Sequence, residues 1–408
     1  MQERDNVLFF CNGNSVRTVM TKPIRNPAAR SNLTGKSEGR HFAAHIHSRA
    51  MRIVSIFAIV LYVPLLASCS NSNPSSAETK LPPGSISLTG GGSTFSAVLF
   101  DRWFTVYHDS HPNTFIKYAS VGSGEGVRRF IGNGIADEDR VEFGASDSAM
   151  SDAELAQTNN ETLMVPVTAG CVVLAYNLPG FHGDLKLSRT AYAGIFLGEI
   201  KNWNDPLIAQ SNPGVKLPNL TIVTVVRLDS SGTTFAFTGN LSAINDKWRG
   251  QFGQATLVNW PGTAMRGKGN EGVAGLIQNS PGSIGYVGFE FARRLGSDMA
   301  GLENKEGKFV QPSEQSCATG LATANLPENL RVFVTDPAGA ESYPIVTFSW
   351  VLLRKTYKDP QIAKALRDLF LWCLQDGQRY ASQVGYVPVP AAVVEKALSA
   401  LNAINPGG

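Results

Sequence analysis

The sequence is poor in the residues that bind metal ions. Its 408 residues include 6 histidines and 5 cysteines. The histidines lack the spacing of metal ligands, since half lie near the start of the chain and the others are scattered: His41, His45, His47, His108, His111 and His182. We therefore predict no metal site and no cofactor.

Cysteine is also too scarce for a disulfide framework. Beyond residue 69 only three cysteines remain, Cys171, Cys317 and Cys373. Cys171 and Cys373 lie in apolar stretches that are typical of a buried core. A Cys317–Cys373 bridge is the alternative that the sequence leaves open.

Charged residues make up only 17% of the chain, and the net charge is +3. Residues 1–50 contain 8 basic and 3 acidic residues, whereas the remainder contains 28 basic and 30 acidic ones. The basic surplus therefore belongs to the leader and not to the main body of the chain. Nucleic acid is not an implied partner.

The apolar run that follows Met51 is too short to span a membrane. It covers roughly fifteen residues, whereas a spanning helix needs about 20. It fits a secretory signal peptide over residues 51–68, and its end, Leu66-Ala67-Ser68-Cys69, resembles a bacterial lipobox. The resemblance implies that Cys69 is lipidated after cleavage, and residues 69–84 are then a flexible tether. A plain signal peptide with a coincidental cysteine is the alternative.

A short motif ahead of this signal peptide raises an enzymatic alternative. Cys11 and Arg17 have C-x5-R spacing, and the stretch resembles the low-molecular-weight tyrosine phosphatase and arsenate reductase family, which uses a thiolate nucleophile. The 50 residues before Met51 are too few for such an enzyme, and two prolines replace the expected helix. We interpret residues 1–50 as a non-native or mis-assigned leader with a vestigial motif, and expect the natural chain to begin at Met51.

Downstream of residue 85, short apolar strands alternate with amphipathic helices, which is typical of α/β proteins. Two long apolar segments, 163–177 and 343–355, are predicted to be strands that cross between lobes. Residues 283–292 are predicted as one strand, and residues 360–381 as one long C-terminal helix.

Three loops place small hydroxyl residues and glycines where a helix begins. They are Ser93-Thr94-Phe95, Gly122-Ser123-Gly124 and Ser231-Gly232-Thr233, and Arg227 lies just ahead of the third. The first N–H groups of a helix lack intrahelical partners, and the helix dipole makes this end partly positive. One such loop alone is usually a helix N-cap. Three of them together with an arginine indicate a single oxyanion site.

Six motifs follow one another along this part of the chain: GGGSTF, GSGEGV, FGASD, RLDSSGTTF, GKGNEGVAG and GSIGYV. In this order they resemble the phosphate-binding protein of bacterial ABC phosphate importers, and the resemblance covers nearly all of residues 87–403. It implies the α/β, two-lobed type II periplasmic-binding-protein fold, with the ligand cleft between the lobes. We predict lobe I from residues 85–168 plus 345–408, and lobe II from residues 169–344.

The resemblance also implies a set of phosphate contacts. Carried over by motif, they fall on Thr94, Phe95 (through its backbone N–H), Ser123, Asp147, Arg227, Ser231, Gly232 and Thr233. Two departures from the family pattern, Glu125 and the longer segment 135–140, are expected to alter the cleft rim or the surface. No catalytic residue is implied.

Asp147 is predicted to make the site selective. A carboxylate beside a dianion is unfavourable unless the ligand carries a proton to donate to it. Phosphate near neutral pH carries this proton and sulfate does not, so sulfate would leave the carboxylate unpaired. Arg227 supplies the cation, and Asp229 is expected to hold its guanidinium in position. The alternatives are that Asp147 caps the following turn and that Arg227 forms a surface salt bridge.

The leading hypothesis is a monomeric lipoprotein, periplasmic or otherwise extracytoplasmic and anchored to a membrane. It would bind inorganic phosphate and deliver it to the permease subunits of an ABC importer. The alternatives are a phosphate-sensing lipoprotein and an extracytoplasmic phosphatase on the same scaffold. A phosphatase is disfavoured because the cleft motifs offer no nucleophile with an adjacent base. Arsenate shares the shape and the proton of phosphate, and stays open as a second ligand.

Overall fold

The computed structural model describes residues 81–181 and 183–406. The predicted leader, the signal peptide with Cys69, most of the predicted tether and His182 lie outside the described residues. Within the two described ranges, no helix is both long enough and apolar enough to cross a membrane.

Strands and helices alternate through the described chain, so the α/β class predicted from the sequence is confirmed. The strands are β1 Ile86–Gly92, β2 Thr114–Ser120, β3 Phe143–Ser146, β4 Thr162–Asn177, β5 Lys186–Leu187, β6 Val223–Arg227, β7 Met265–Gly267, β8 Ser283–Gly288, β9 Asp298–Met299, β10 Gly301–Glu303, β11 Phe309–Val310, β12 Val346–Arg354, β13 Thr356–Tyr357 and β14 Asn405–Pro406. The helices are α1 Ala97–Ser110, α2 Ser123–Ile131, α3 Asp152–Ala156, α4 Arg189–Phe196, α5 Pro206–Ala209, α6 Gly232–Ile244, α7 Asp246–Gln251, α8 Gly269–Asn279, α9 Phe289–Arg294, α10 Glu314–Leu321, α11 Pro360–Leu374 and α12 Ala391–Leu401. Short 3-10 helices cover Asp137–Asp139, Asp376–Tyr380 and Ser382–Val384.

The main sheet has the strand order β2-β1-β3-β12-β4-β8-β6-β7, with β9 beside β4. Strands β1, β2 and β3 are parallel to one another, and so are β6, β7 and β8. The long strand β4 joins the two groups, because it pairs with β12 as far as Cys171 and with β8 from Val172 onward. The sheet therefore consists of two parallel groups connected through the crossing strand that was predicted over 163–177.

The two antiparallel strands at the centre of this sheet are buried along nearly their whole length. In β12 every residue except Arg354 is buried, and in β4 only Leu163 and Asn177 are partly exposed. Continuous apolar runs of this kind are typical of strands that are covered on both faces. They form the connection between the two parallel groups.

Helix α1 illustrates how the packing positions the ends of the helices. It buries one face through residues at helical spacing: Leu99, Phe100, Trp103, Phe104 and Tyr107. The indole N–H of Trp103 donates a hydrogen bond of 2.7 Å to the carbonyl of Gly377. This bond fixes α1 against the C-terminal segment, so the start of α1 is held in place after β1.

One predicted strand is partly wrong. Strand β8 ends at Gly288, and the next six residues form α9, although the sequence had predicted a strand through residue 292. An apolar run without alternation does not distinguish a buried strand from a buried helix. The first four residues of α9 are all buried, which explains why the pattern looked continuous.

The predicted C-terminal helix is also shorter than expected. Helix α11 ends at Leu374, and the 3-10 helix Asp376–Tyr380 replaces its predicted last turns. Gly377 has a low helix propensity, and its carbonyl accepts the hydrogen bond from the indole N–H of Trp103.

A disulfide joins Cys171 in β4 to Cys317 in α10, with a Cα–Cα distance of 5.5 Å. Cys373 is a free cysteine in α11. The bridge considered from the sequence, Cys317–Cys373, is therefore wrong, whereas the predicted burial of Cys171 and Cys373 is confirmed. The two bonded cysteines are 146 residues apart in the sequence, and only the tertiary fold brings β4 beside α10.

We predict that reduction of this disulfide destabilises the fold. A cross-link between residues 146 apart restricts the unfolded chain, and a bond of this kind contributes typically about 2–4 kcal/mol. Differential scanning calorimetry should show a lower Tm for the wild-type chain when a reductant is present. The double variant Cys171→Ser/Cys317→Ser should unfold at this lower temperature and should not respond to the reductant. A wild-type Tm that is insensitive to complete reduction would contradict the prediction.

Candidate anion-binding site

The predicted site residues lie at the carboxyl ends of strands in the two parallel groups. The loop after β1 carries Thr94 and Phe95, Ser123 begins α2 just after β2, and Asp147 directly follows β3. In the other group, Arg227 is the last residue of β6, and the loop after it leads into α6. Ligands of open α/β sheets bind outside the carboxyl ends of the strands.

The structure brings all eight predicted residues together, and their side chains are almost completely enclosed. The polar ones are exposed to only the following extents: Thr94 3%, Ser123 1%, Asp147 2%, Arg227 2%, Ser231 1% and Thr233 0%. Polar groups at this depth need hydrogen-bond partners, because an unpaired buried polar group is costly. The chemistry of the site follows from two sets of groups: the polar groups that are already hydrogen-bonded within the chain, and the donors that are not.

Several backbone N–H groups in the site have no acceptor among the described residues. They belong to Thr94, Phe95, Ser123, Gly232 and Thr233. In α6 the next N–H, that of Thr234, is bonded to the hydroxyl of Ser231 at 3.1 Å, so Ser231 is the N-cap. The N–H groups of Gly232 and Thr233 are the free donors of a helix N-terminus, which favours an anion.

Arg227 is held by a two-point ion pair with Asp229. Its Nε lies 3.1 Å from Oδ1 of Asp229, and one of its terminal nitrogens lies 2.6 Å from Oδ2. Although burial opposes ionisation of Asp229, its hydrogen bonds with Arg227 and the charge of Arg227 lower the pKa of its carboxyl. The predicted contact is confirmed, and the interpretation of Arg227 as a surface salt bridge is wrong because the arginine is buried.

The carboxylate of Asp147 is surrounded by hydroxyl groups. Ser93 and Ser349 each donate a hydrogen bond of 2.5 Å to Oδ1, and Ser123 donates one of 3.3 Å to Oδ2. Burial raises the pKa of Asp147, although these hydroxyls and the charge of Arg227 act in the opposite direction. Its oxygens accept from hydroxyls rather than from N–H groups of the following turn, so the capping interpretation is wrong.

The loops of the two parallel groups are in direct contact around the site. The N–H of Gly124 donates a hydrogen bond of 3.2 Å to the carbonyl of Ser230. A Cβ atom on Gly232 would lie 2.6 Å from Cβ of Asp147, which is too close for any side chain. A glycine at the start of α6 therefore lets the positive end of this helix approach the carboxylate.

Three further residues support the site that the sequence had not assigned to it. Ser349 donates to Asp147, and the hydroxyl of Tyr386 donates to the carbonyl of Phe95. Asn270 donates to Thr94 and Thr233. The motif GKGNEGVAG contained Asn270 and offered a signal for it, whereas Ser349 lies in an apolar strand segment without any such signal.

A second buried carboxyl lies close to Asp147. Glu290, in the first turn of α9, is 2% exposed, and its two oxygens have no hydrogen-bond partner among the described residues. Burial raises the pKa of Glu290 well above its usual value, and the nearby charge of Asp147 acts in the same direction.

The two departures from the family pattern lie outside this cluster, as expected. Glu125 forms ion pairs with Arg128 and Arg129 on α2. These partners, with Arg128 contributing most, lower the pKa of Glu125 to about 2. In the longer segment, Asp139 lies 3.0 Å from Arg129. Within the described residues, no cluster of His, Cys, Asp or Glu is arranged to hold a metal ion.

The comparisons with known proteins agree with this geometry. Residues 73–376 match the family model of the PBP superfamily domain. The chain is 39% identical over 312 residues to the phosphate-binding protein PstS of Pasteurella multocida (strain Pm70), a match that covers 76% of this chain and 88% of the relative. It is 35% identical over 376 residues to the phosphate-binding protein PstS of Methanocaldococcus jannaschii, with coverages of 86% and 95%.

Solved structures show the same fold. A high affinity periplasmic phosphate-binding protein bound with phosphate superimposes with a TM-score of 0.65 at 23% identity, covering 77% of this chain and 93% of that one. A phosphate-binding protein from Stenotrophomonas maltophilia gives a TM-score of 0.60 at 21% identity, with coverages of 77% and 93%. The two-lobed fold predicted from the sequence is thereby confirmed. The chain belongs to the PBP superfamily and, within it, to the family of PstS phosphate-binding proteins.

Proposed function

We propose that this chain binds inorganic phosphate outside the cytoplasmic membrane and delivers it to the permease of an ABC importer. The observation that carries this proposal is the buried set of donors facing one acceptor. Five backbone N–H groups from three loops have no acceptor among the described residues, and these loops contact Arg227 through Thr233 and Asp147 through Ser123 and Gly232. A small oxyanion that can also donate one hydrogen bond fits this arrangement.

The energies of these contacts are sufficient for tight binding. Hydrogen bonds that involve a charged group contribute roughly 1.5–3 kcal/mol each. Six of them contribute at least about 9 kcal/mol, which exceeds the approximately −8 kcal/mol of a micromolar complex, and stronger bonds leave a margin for the cost of ordering and desolvation. The enclosed site strengthens each bond because water does not compete.

The ligand contacts that we propose are those of Thr94, Phe95, Ser123, Asp147, Arg227, Ser231, Gly232 and Thr233. We further propose that residues 85–168 plus 345–408 and residues 169–344 are the two lobes. The contacts of Gly124 with Ser230 and of Gly232 with Asp147 then cross the cleft between the lobes. They support a closed state of the two lobes, which presents one defined surface to the permease.

The proposal is transport and not catalysis. The described histidines His108 and His111 contact backbone carbonyls at the end of α1 and around Thr114, away from the site hydroxyls. Among residues 81–181 and 183–406, no hydroxyl of the site is therefore paired with an imidazole base, which is the arrangement that nucleophilic phosphoryl transfer would need. A phosphate-sensing role would use the same site, and phosphate uptake by cells distinguishes it from transport.

We also propose that the chain is a monomer anchored by a lipid on Cys69. The Cys171–Cys317 disulfide supports an extracytoplasmic location, since such bonds persist in oxidising compartments. The polar residues after Cys69 would give the folded part freedom to reach the permease.

We predict that Asp147→Asn weakens the preference of the site for phosphate over sulfate. The amide can donate a hydrogen bond to sulfate, whereas the carboxylate must receive one from the ligand. Isothermal calorimetry should show tight phosphate binding and negligible sulfate binding for the wild-type chain. In the variant, phosphate should bind at least about tenfold more weakly, equivalent to about 1.4 kcal/mol, and sulfate should bind detectably. Equal sulfate competition in both proteins would refute the role of Asp147.

The selectivity should also depend on pH. The pKa of Asp147 is raised, so as the pH falls the carboxyl gains a proton at a higher pH than an ordinary aspartate does. Once protonated, it donates to sulfate. Competition by sulfate should therefore increase more steeply as the pH falls in the wild-type chain than in Asp147→Asn, where only the phosphate itself titrates. A wild-type selectivity that does not change with pH would contradict this.

Arg227→Ala should weaken phosphate binding by roughly a hundredfold or more. Loss of two charge-assisted bonds removes about 3 kcal/mol. Arg266→Ala, on the neighbouring strand β7, is the matched control because this arginine is exposed. Its phosphate affinity should equal that of the wild type. Similar losses in both variants, or no loss in Arg227→Ala, would remove Arg227 from the site.

Cys69→Ala should release the protein from the membrane. Without the thiol there is no site for the lipid, so the exported protein should move from the membrane fraction to the soluble extracytoplasmic fraction. A chain that begins at Met51 should be exported and lipidated like the full sequence. Membrane retention of Cys69→Ala would contradict the lipid anchor.

A further inference from the structure

Asn270 connects the two sides of the anion site. It is the second residue of α8 and is completely buried. Its side-chain nitrogen lies 2.9 Å from the hydroxyl oxygen of Thr94 and 3.3 Å from that of Thr233. These threonines come from different parallel groups of the sheet, so this one amide contacts both.

The orientation of the amide is fixed by its third contact. The oxygen Oδ1 of Asn270 accepts a hydrogen bond of 3.0 Å from the backbone N–H of Gly288. A backbone N–H can only donate, so the oxygen must face Gly288 and the NH2 group must face the two threonines. Asn270 therefore acts as a donor to both hydroxyls.

The two hydroxyl oxygens have their acceptor positions occupied. Thr94 Oγ1 also receives the backbone N–H of Asn270 at 3.2 Å. Thr233 Oγ1 also receives a terminal nitrogen of Arg227 at 3.4 Å. A hydroxyl accepts two hydrogen bonds and donates one. Each threonine is therefore left with one proton to donate, and neither donates it to a described residue of the chain.

We propose that Asn270 is a positioning residue that makes both threonine hydroxyls pure donors toward the phosphate. This inference rests on the proposed function and specifies the chemistry of its site. With Thr94 and Thr233 unable to accept, Asp147 is the charged acceptor that remains for the proton of the phosphate. Asn270 thus favours binding with this proton toward Asp147, and it hydrogen-bonds to residues from both sides of the site.

A double-mutant cycle measured by calorimetry tests this role. The single variants are Asn270→Ala and Thr94→Val, the latter replacing a hydroxyl by a methyl group of similar size. We expect each to weaken phosphate binding at least tenfold. In the combined variant the fold-loss of phosphate affinity should be well below the product of the two single fold-losses, because a valine has no hydroxyl for Asn270 to orient. Multiplicative losses would overturn the proposal, and so would an unchanged affinity of Asn270→Ala.

A matched control separates positioning from general destabilisation. Asn304 is also completely buried, and its amide nitrogen contacts the carbonyls of Gly339, Ala340 and Ser342. Asn304→Ala should lower the Tm and leave phosphate affinity unchanged. If it weakens phosphate binding as much as Asn270→Ala does, the effect is one of stability and the proposal fails.

A second variant keeps the test decisive if Asn270→Ala does not fold. Asn270→Asp has the same shape but offers an acceptor where the amide offered donors, so the threonine protons should turn toward it and away from the ligand. Its loss of phosphate affinity should shrink when both threonines are valine. If Asn270→Asp lowers phosphate affinity equally with threonines and with valines at positions 94 and 233, the loss reflects only the added charge, and the proposal is overturned. Absence of phosphate binding by the wild-type chain would instead refute the proposed function itself.

Discussion

The structure depends on one electrostatic constraint, a carboxylate buried among hydrogen-bond donors. Asp147 is 2% exposed and lies among N–H groups and hydroxyls, near the guanidinium of Arg227, whose own carboxylate partner is Asp229. A buried negative charge next to an anion site is unfavourable unless the anion brings a proton to it. We propose that Asp147 makes binding conditional on this proton and thereby makes the site reject anions that lack it.

The fold supplies the donors by placing helix starts at the carboxyl ends of parallel strands. Helices α2 and α6 begin shortly after β2 and β6 end, so their first N–H groups converge with those of Thr94 and Phe95 in the loop before α1. The long strands β4 and β12 connect the two groups of strands, and both are buried along nearly their whole length. Rigid strands with short loops thus hold the donors, and Asn270 sets the direction of two of them.

The sequence predicted those parts of the site that depend on neighbouring residues in the chain. Loops such as Ser93-Thr94-Phe95 have a sequence signature because a helix start depends on neighbouring residues. Contacts between distant residues have no such signature. Ser349 reaches Asp147 across 202 positions, and the disulfide joins residues 146 apart. The helical turn after Gly288 was missed for a related reason, since burial on every side removes the periodicity that distinguishes a helix from a strand.

A crystal structure of the phosphate complex at a resolution that resolves hydrogen atoms tests the central claim most directly. It should show one phosphate oxygen about 2.5–2.7 Å from a carboxylate oxygen of Asp147, with the hydrogen belonging to the phosphate. The remaining phosphate oxygens should each face N–H groups, hydroxyls or Arg227. A phosphate bound away from Asp147, or bound beside it with its proton pointing to another acceptor, would contradict the account.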